Sequence, residues 1–482
     1  KGTPMYRILC LISLCSFCAG VAEPPAPYGA VPSARQLQWH ALEFYGFIHF
    51  TVNTFTNKEW GYGDEPPRIF NPTDFDAGSI AAIAQEAGMK GLILTCKHHD
   101  GFCLWPSAYT EHSIAASPWK DGKGDMVREF ADACREHGIL FGVYLSPWDR
   151  NHADYARPAY ITYYRNQLRE LLTGYGNIFE VWFDGANGGD GWYGGAKEKR
   201  SISASYYGWD DTFALVRELQ PNAVIFSHLG DVRWVGNESG FAGDPCWATF
   251  TPQIEEDAKA LNVGIRNGTH WQPAEVDVSI RPGWFYHNRE DAKVRTPGNL
   301  MNLYFQSVGR GASLLLNLPP DRRGRIHERD AQSLIAFGKR LKAMYGTNLA
   351  AGASASASNV RGGDKRFSAA CVLDGKSDSY WCSDDEVLTP ELVLELPEAR
   401  TFDVVSLREY LPLGQRVDRW ALDARVDGAW KEFACGTAIG SRRLWRGNAV
   451  TTDSVRLRIM EAAACPAISE VALHHLSGKS IR

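Results

Sequence analysis

The sequence predicts an α/β fold in two parts: a (β/α)8-type barrel followed by an all-β antiparallel sandwich domain. Apolar strands, each followed by an amphipathic helix, begin near residues 44, 91, 139, 178 and 223. The strands are almost continuously apolar, which is typical of a parallel sheet covered by helices on both faces. After residue 346 the pattern changes to short alternating runs separated by turn residues, which is typical of an antiparallel sandwich.

Periodicity places the segments of the first part in order. Strands are predicted at residues 44–50, 91–96, 139–147, 178–186 and 223–227, and helices at 76–88, 125–138, 161–176 and 212–220. A less regular stretch adds strands at 275–280 and 312–318 and helices at 296–310 and 328–346. The count approaches eight strands by residue 320, which favours a closed barrel over an open doubly wound sheet. No GxGxxG motif follows the first strand, and this argues against a dinucleotide-binding fold.

The N-terminal residues predict export. Residues 8–22 form an apolar run after Arg7 that is too short to span a membrane. Small residues precede a suitable cleavage point, so residues 5–22 are predicted to be a secretory signal peptide. We therefore expect a periplasmic or secreted protein with no membrane insertion after signal cleavage. The expected domain boundaries are a linker at 23–38, the barrel at 39–346 and the sandwich at 347–482.

Composition places the chain among globular proteins. The net charge of −5 over 482 residues gives no general attraction to nucleic acid, so no nucleic-acid partner is expected. The 16 tryptophans indicate either an aromatic-rich core or a site where flat rings stack on sugars. The eight cysteines after the signal lack zinc-ligand spacing, and Cys371–Cys382, Cys435–Cys465 and free buried thiols all remain open.

Polar, ionisable and tryptophan residues follow the predicted strands, where barrel enzymes place their sites. Asp184 ends an apolar strand and Glu238 lies in a long loop. Together they suit glycoside hydrolysis, which needs one ionised and one protonated carboxyl group. A turn-capping role for Asp184 and an exposed surface position for Glu238 are the alternatives.

Two adjacent histidines form a second cluster, His98 and His99. They predict hydrogen bonding to sugar hydroxyls, with a structural role or a metal site as alternatives. Neighbouring strand residues point to opposite faces, which disfavours a shared metal. His49 and Glu59 have the same predicted role, and the candidates for stacking on a sugar, with core packing as the alternative, are Trp60, Trp182 and Trp284.

Several motifs occur in an order that resembles the family 29 glycoside hydrolases, the retaining α-L-fucosidases. They are FIHF, EWG, KHHDGF, YLSPW, VWFDG and the downstream GASLLLNLPPDRRGRI. The segments at 233–240 and 274–287 resemble the subfamily that prefers α-1,3- and α-1,4-linked fucose. The resemblance covers residues 39–346 and implies hydrolysis of terminal L-fucose from oligosaccharides or glycoconjugates, without a catalytic cofactor.

The resemblance also implies roles for individual residues. Asp184 would be the nucleophile and Glu238 the general acid/base. Trp284 would contact the C5 methyl group or the aglycone, and Asp277 and Arg281 the adjoining sugars. The residues expected to bind fucose or complete its pocket are His49, Glu59, Trp60, His98, His99, Tyr144 and Trp182.

The C-terminal part resembles the discoidin-like, coagulation-factor C-type β-sandwich used as a carbohydrate-binding module. The segments that carry this resemblance are 372–383 and 466–473. Asp374 and Asp378 are expected either to hold a structural Ca²⁺, as such modules often do, or to form a turn.

Two alternative functions remain open on sequence grounds. One is a barrel glycosidase for another sugar, such as a galactosidase or hexosaminidase. The other is a non-catalytic glycan-binding protein of the same fold.

Overall fold

The computed structural model describes residues 22–252 and 257–476, so the predicted signal peptide lies outside the described residues except for Ala22. The helices are α1 Ala34–His40, α2 Val52–Thr56, α3 Ala77–Glu86, α4 Met126–Glu136, α5 Pro158–Gly174, α6 Trp209–Leu219, α7 Ala258–Val263, α8 Pro297–Gln306 and α9 Glu328–Tyr345. The strands up to residue 317 are β1 Phe44–Ile48, β2 Gly91–Lys97, β3 Leu140–Leu145, β4 Glu180–Trp182, β5 Gly189–Gly191, β6 Glu198–Arg200, β7 Val224–Phe226, β8 Arg233–Trp234, β9 Thr249–Phe250, β10 His270–Trp271, β11 Ala274–Ser279 and β12 Ser313–Asn317. The later strands are β13 Ser354–Ala357, β14 Trp381–Cys382, β15 Glu391–Glu409, β16 Val417–Val426, β17 Ala429–Gly436, β18 Arg443–Ala462 and β19 Ala467–His474.

Eight parallel strands form a nearly closed barrel, in the order β7-β4-β3-β2-β1-β12-β11-β8. At the remaining gap, a single parallel bridge joins Phe226 to Val232. The predicted barrel is therefore confirmed. Local signals start its helices as expected: Asp76, Asp125 and Thr296 each accept a hydrogen bond from a backbone N–H three residues later.

The sixth barrel strand was not predicted. The predicted strands leave residues 228–274 as connecting chain, but Arg233 and Trp234 form β8 beside β11. A strand of two residues has no periodicity to detect. The buried guanidinium of Arg233 holds the strand in place by donating to backbone carbonyls of Leu261 and Trp247.

Alternation along the strands sends every second side chain into the barrel, which creates three levels of side chains there. The lower level includes Tyr45 of β1, and the middle level includes Phe47 of the same strand. The upper level includes His49, the residue that follows β1. The corresponding residues on and after β4 are Glu180, Trp182 and Asp184, and those on β11 are Glu275, Asp277 and Ser279. The site therefore rests on a packed interior.

The residues after 346 form an antiparallel seven-stranded sheet, as predicted for the second domain. The long strands β15 and β18 pair along most of their length, with register shifts that bend them. The core of this domain includes the buried Trp381 and Trp420.

Asp374, one of the two predicted calcium ligands, takes part in a turn. Both carboxylate oxygens of Asp374 accept from the Ser379 hydroxyl, and Oδ1 also accepts from the Lys376 N–H, which is the arrangement of a turn. Among residues 22–252 and 257–476, no three His, Cys, Asp or Glu residues are grouped to hold a metal, and binding of Ca²⁺ by Asp374 and Asp378 stays a prediction.

Neither candidate disulfide is formed. All eight cysteines within the described ranges are free, and most of them are buried. The outcome follows the third alternative, free buried thiols.

The predicted linker is partly ordered structure. Residues 34–38 belong to α1, which Ser33 and Gln36 start with reciprocal capping bonds. The residues before it lie on the second domain, where Tyr28 donates its backbone N–H to Leu413. In the described part of the chain, no helix is long and apolar enough to cross a membrane.

Candidate active site

Asp184 lies at the C-terminal mouth of the barrel, two residues after β4. Its Oδ2 accepts a hydrogen bond from the Tyr144 hydroxyl at 2.9 Å, and its Oδ1 accepts from the Ala186 N–H at 2.7 Å. Burial and the Asp184 charge raise the pKa of Tyr144, so its hydroxyl remains a donor. His99 Nε2 is 3.8 Å from Oδ2. The carboxylate is thus oriented from two sides and remains accessible.

Glu238 lies on the loop after β8, and Trp284 holds its carboxyl group. The indole Nε1 of Trp284 donates to Glu238 Oε2 at 3.1 Å. Partial burial of the carboxyl group raises the pKa of Glu238, and the charges of Asp184 and Glu59 raise it further, while the bond from Trp284 opposes the shift. A raised pKa is what a general acid requires.

Three histidines line the pocket near Asp184. Burial lowers the pKa of His49 to about 3 and also lowers the pKa of His98 and His99, so all three are neutral near pH 7. His49 Nδ1 is 2.9 Å from Asn317 Oδ1, and His99 Nδ1 is 2.7 Å from Ser146 Oγ. Neutral imidazoles held in this way suit hydrogen bonding to sugar hydroxyls.

His98 carries an unusual polar atom. Its ring stacks on Tyr144, with centroids 5.9 Å apart, and the edge of Phe285 packs against it. Its Nδ1 is buried and has no hydrogen-bond partner among the described residues. A buried ring nitrogen without a hydrogen-bond partner is uncommon in folded proteins.

The carboxylate of Glu59 bonds to Trp284 and His287 and does not project freely into the site. Its carboxylate accepts from the backbone N–H of Trp284 at 2.7 Å and lies 2.6 Å from His287 Nε2. Trp284 in turn lies 5.1 Å from His49, centroid to centroid. Glu59 therefore holds the residue that contacts Glu238.

Two of the tryptophans predicted to stack on a sugar differ in their exposure to solvent. Trp182 is buried in the middle level and stacks on Phe226 at 3.9 Å and on Tyr144 at 5.3 Å. Trp60 is 52% exposed and meets His99 and Trp148 edge-on. Trp182 supports the pocket floor, whereas Trp60 is available at the rim.

The predicted sugar contacts of Asp277 and Arg281 do not fit their positions. Asp277 is buried in the middle level and accepts from Trp234 Nε1 at 2.8 Å; burial raises its pKa well above the usual range. The Arg281 side chain is fully buried and pairs with Asp330 and Asp291. Arg281 thus pairs with α9 through Asp330, because a guanidinium inside the protein needs carboxylate partners.

Two site residues were missed by the sequence analysis. Asn317 ends β12 and bonds His49, the Ser279 hydroxyl and the carbonyl of Trp284. Its position at a strand end was an available signal, but the surrounding LLLNL run gave it no distinctive motif. Glu275 lies in the predicted strand 275–280, where only the closed barrel reveals that it faces Trp182.

Comparison with known proteins shows the family to which the chain belongs. A family model described as alpha-L-fucosidase matches residues 28–346. Alpha-L-fucosidase 1 of Arabidopsis thaliana is 40% identical over 479 residues, which are 97% of this chain and 92% of the plant protein. The chain belongs to the α-L-fucosidase family. It is a glycoside hydrolase, as the sequence predicted.

Solved structures agree with this membership of the α-L-fucosidase family. A Bacteroides thetaiotaomicron protein described as a putative alpha-L-fucosidase aligns with a TM-score of 0.87 at 40% identity, over 94% of this chain and 99% of that chain. A Ruminococcus gnavus GH29 fucosidase in complex with fucose aligns with a TM-score of 0.85 at 32% identity, over 95% and 98% of the two chains. These relatives lend no support to a galactosidase, a hexosaminidase or a non-catalytic glycan-binding protein.

Proposed function

We propose that this protein is a retaining exo-α-L-fucosidase that removes terminal α-1,3- or α-1,4-linked L-fucose from oligosaccharides or glycoconjugates. The observation that carries the proposal is the contrast between two carboxyl groups at one mouth of the barrel. Asp184 is oriented by donors from Tyr144 and Ala186, as a nucleophile must be. Glu238 has a raised pKa, as a general acid must have.

The proposed reaction has two displacements. Asp184 attacks the anomeric carbon while Glu238 gives its proton to the glycosidic oxygen, so the bond to the leaving group breaks and a fucosyl ester of Asp184 forms. Glu238 then takes a proton from water, the water oxygen attacks the same carbon and the ester bond breaks. The products are L-fucose with its original anomeric configuration and the defucosylated alcohol.

Substrate choice follows from the pocket lining. Neutral His49, His98 and His99 provide polar atoms for fucose hydroxyls, and the unpaired Nδ1 of His98 is one such atom. The fucose bound by the Ruminococcus gnavus relative supports the sugar. The linkage preference rests on the resemblance of segments 233–240 and 274–287, which contribute the hydrogen-bonded Glu238 and Trp284.

Export and the role of the second domain are part of the proposal. Residues 5–22 have the pattern of a secretory signal, so the enzyme would act in the periplasm or outside the cell. The antiparallel domain would be a discoidin-like module that either binds glycan or braces the barrel, and Glu43 beneath the barrel pairs with Arg408 and Arg442 of that domain.

The deciding experiment is hydrolysis of Lewis-type trisaccharides, which carry α-1,3- or α-1,4-linked fucose, alongside an α-1,2-fucosylated trisaccharide. We expect L-fucose from the first group, and NMR should show the α-anomer first. Release only from the α-1,2 substrate would contradict the linkage preference, and initial β-fucose would contradict the mechanism. A panel of aryl glycosides serves as the control, since release of galactose or N-acetylhexosamine instead would contradict the substrate.

A further inference from the structure

A pair of carboxyl groups lies in the lower level of the barrel, beneath the candidate active site. Glu180 of β4 and Glu275 of β11 are both fully buried in the barrel interior, although β7 and β8 separate their strands in the ring. Burial raises the pKa of both groups, and the charge of Glu275 raises that of Glu180 further. Two buried carboxyl groups in contact share one proton, because both cannot ionise in the same dry volume.

The hydrogen bonds assign the shared proton to Glu180. Glu275 accepts from Trp182 Nε1 at 2.8 Å through Oε1 and from the Tyr45 hydroxyl through Oε2. Glu180 Oε2 accepts from Trp39 Nε1 at 3.1 Å, while no donor among the described residues bonds to its Oε1. A proton on that oxygen would satisfy it by donating to Glu275. Glu275 is then the ionised member and the acceptor for Trp182.

Trp182 connects this pair to the reacting end of the site. Its indole lies between Phe226 and Tyr144, with centroids 3.9 and 5.3 Å away, and also contacts Phe47. The Tyr144 hydroxyl donates to Asp184. Trp182 is the last residue of β4, and Asp184 follows it by two residues and faces the same interior. Any tilt of the indole would therefore move both the nucleophile and its donor.

We propose that Glu275 is a positioning residue: its carboxylate, held from below by Glu180 and Tyr45, fixes the indole of Trp182 and thereby the Tyr144–Asp184 pair. This inference rests on the proposed role of Asp184. It explains why a barrel interior that could be filled with apolar side chains holds two carboxyl groups at its lower level. A charged acceptor makes a stronger and more directional bond to the indole than any apolar contact would.

The test measures kcat and KM on an aryl α-L-fucoside, with kcat expressed per active site titrated by a fluorinated fucosyl inactivator. Glu275→Leu keeps the volume but removes the acceptor, and we expect kcat to fall by about 100-fold with little change in KM. Glu275→Gln keeps an acceptor oxygen for Trp182 and should recover most of this loss. In Trp182→Phe, adding Glu275→Leu should cause little further loss, since both changes break the same contact.

Trp39→Phe is the matched control, because it removes the bond to Glu180 and leaves Trp182 untouched. We expect a lower unfolding temperature with kcat retained. If Glu275→Leu lowers stability but keeps kcat per titrated site, the role is structural and the inference is wrong. If the Glu275→Leu variant does not fold, the Trp182→Phe variant decides the question instead, and an unchanged kcat in that variant would overturn the inference. Failure of the proposed function is distinguishable, since it would appear as normal activity in Asp184→Ala.

Discussion

Trp284 donates its indole N–H to Glu238, while Glu59 accepts the backbone N–H of the same tryptophan. The two distances are 3.1 and 2.7 Å. A single residue thus links the candidate acid/base on the loop after β8 to the wall formed after β1. Because the indole stabilises the ionised form of Glu238, it tunes the proton affinity as well as the position of that group.

The first prediction concerns this bond. In Trp284→Phe the ionised form of Glu238 loses a donor, so its pKa rises and the acid form persists to higher pH. The alkaline limb of the kcat/KM profile, where activity is lost as Glu238 deprotonates, should move to higher pH. An unmoved or lowered limb would show that another group sets it. Trp234→Phe, which alters the bond to Asp277, is the matched tryptophan control.

Asp184→Ala should abolish turnover while leaving the fold intact. Loss of a nucleophile lowers kcat by at least about 10⁴-fold. Activity on an aryl α-L-fucoside and circular dichroism measure the two effects. In the wild type, a 2-fluoro-fucosyl fluoride should label the peptide that contains Asp184, and a label elsewhere would refute the assignment. Asp154→Ala, which removes a half-buried turn carboxylate paired with Arg157, is the control and should remain active.

Glu238→Ala should lower kcat by about 10²–10⁴-fold on substrates with poor leaving groups. Azide should restore activity on an activated aryl fucoside, because it needs no general base to attack the fucosyl ester. The product should be the α-fucosyl azide, identified by NMR. Formation of the β-azide would instead assign Glu238 as the nucleophile.

Trp60→Ala should weaken glycan binding. The exposed indole offers a flat apolar face at the rim, and losing such a contact costs about 0.5–1.5 kcal/mol. We expect KM for a branched oligosaccharide to rise by up to about tenfold, with a smaller change in kcat. A large fall in kcat with constant KM would mean that Trp60 acts on the chemistry through His99.

Glu43→Ala should destabilise the contact between the two domains. Glu43 accepts from Arg442 and Arg408 at 2.7 Å, and all three side chains are largely buried. The variant removes the nearer carboxylate from two guanidinium groups and leaves them only Glu470, at 3.6 and 3.8 Å. This loss should cost about 1.5–3 kcal/mol and lower the unfolding temperature by a few degrees. Glu86→Ala breaks an exposed pair with Lys339 and should cost less than about 0.5 kcal/mol. Equal shifts would contradict the argument.

Much of the fold was predictable because its signals are local. Apolar runs and amphipathic periods located β1 to β4 and their helices, and caps such as Thr296 marked where helices begin. The strand β8 was missed because two residues carry no period. The pairing of Arg281 with Asp330 was not predicted because it spans 49 residues of chain, and no local pattern reports such a partner.

By itself, the sequence determined the barrel, the antiparallel second domain, the position of Asp184 after its strand and the position of Glu238 in a loop. These follow from residue type and spacing along the chain. Only the tertiary structure decided which polar groups meet: Trp284 with Glu238, His49 with Asn317, and Glu275 with Trp182. Closure of the barrel brings together side chains from strands distant in sequence, and burial there sets their protonation. Neither effect is visible until the whole ring of strands has formed.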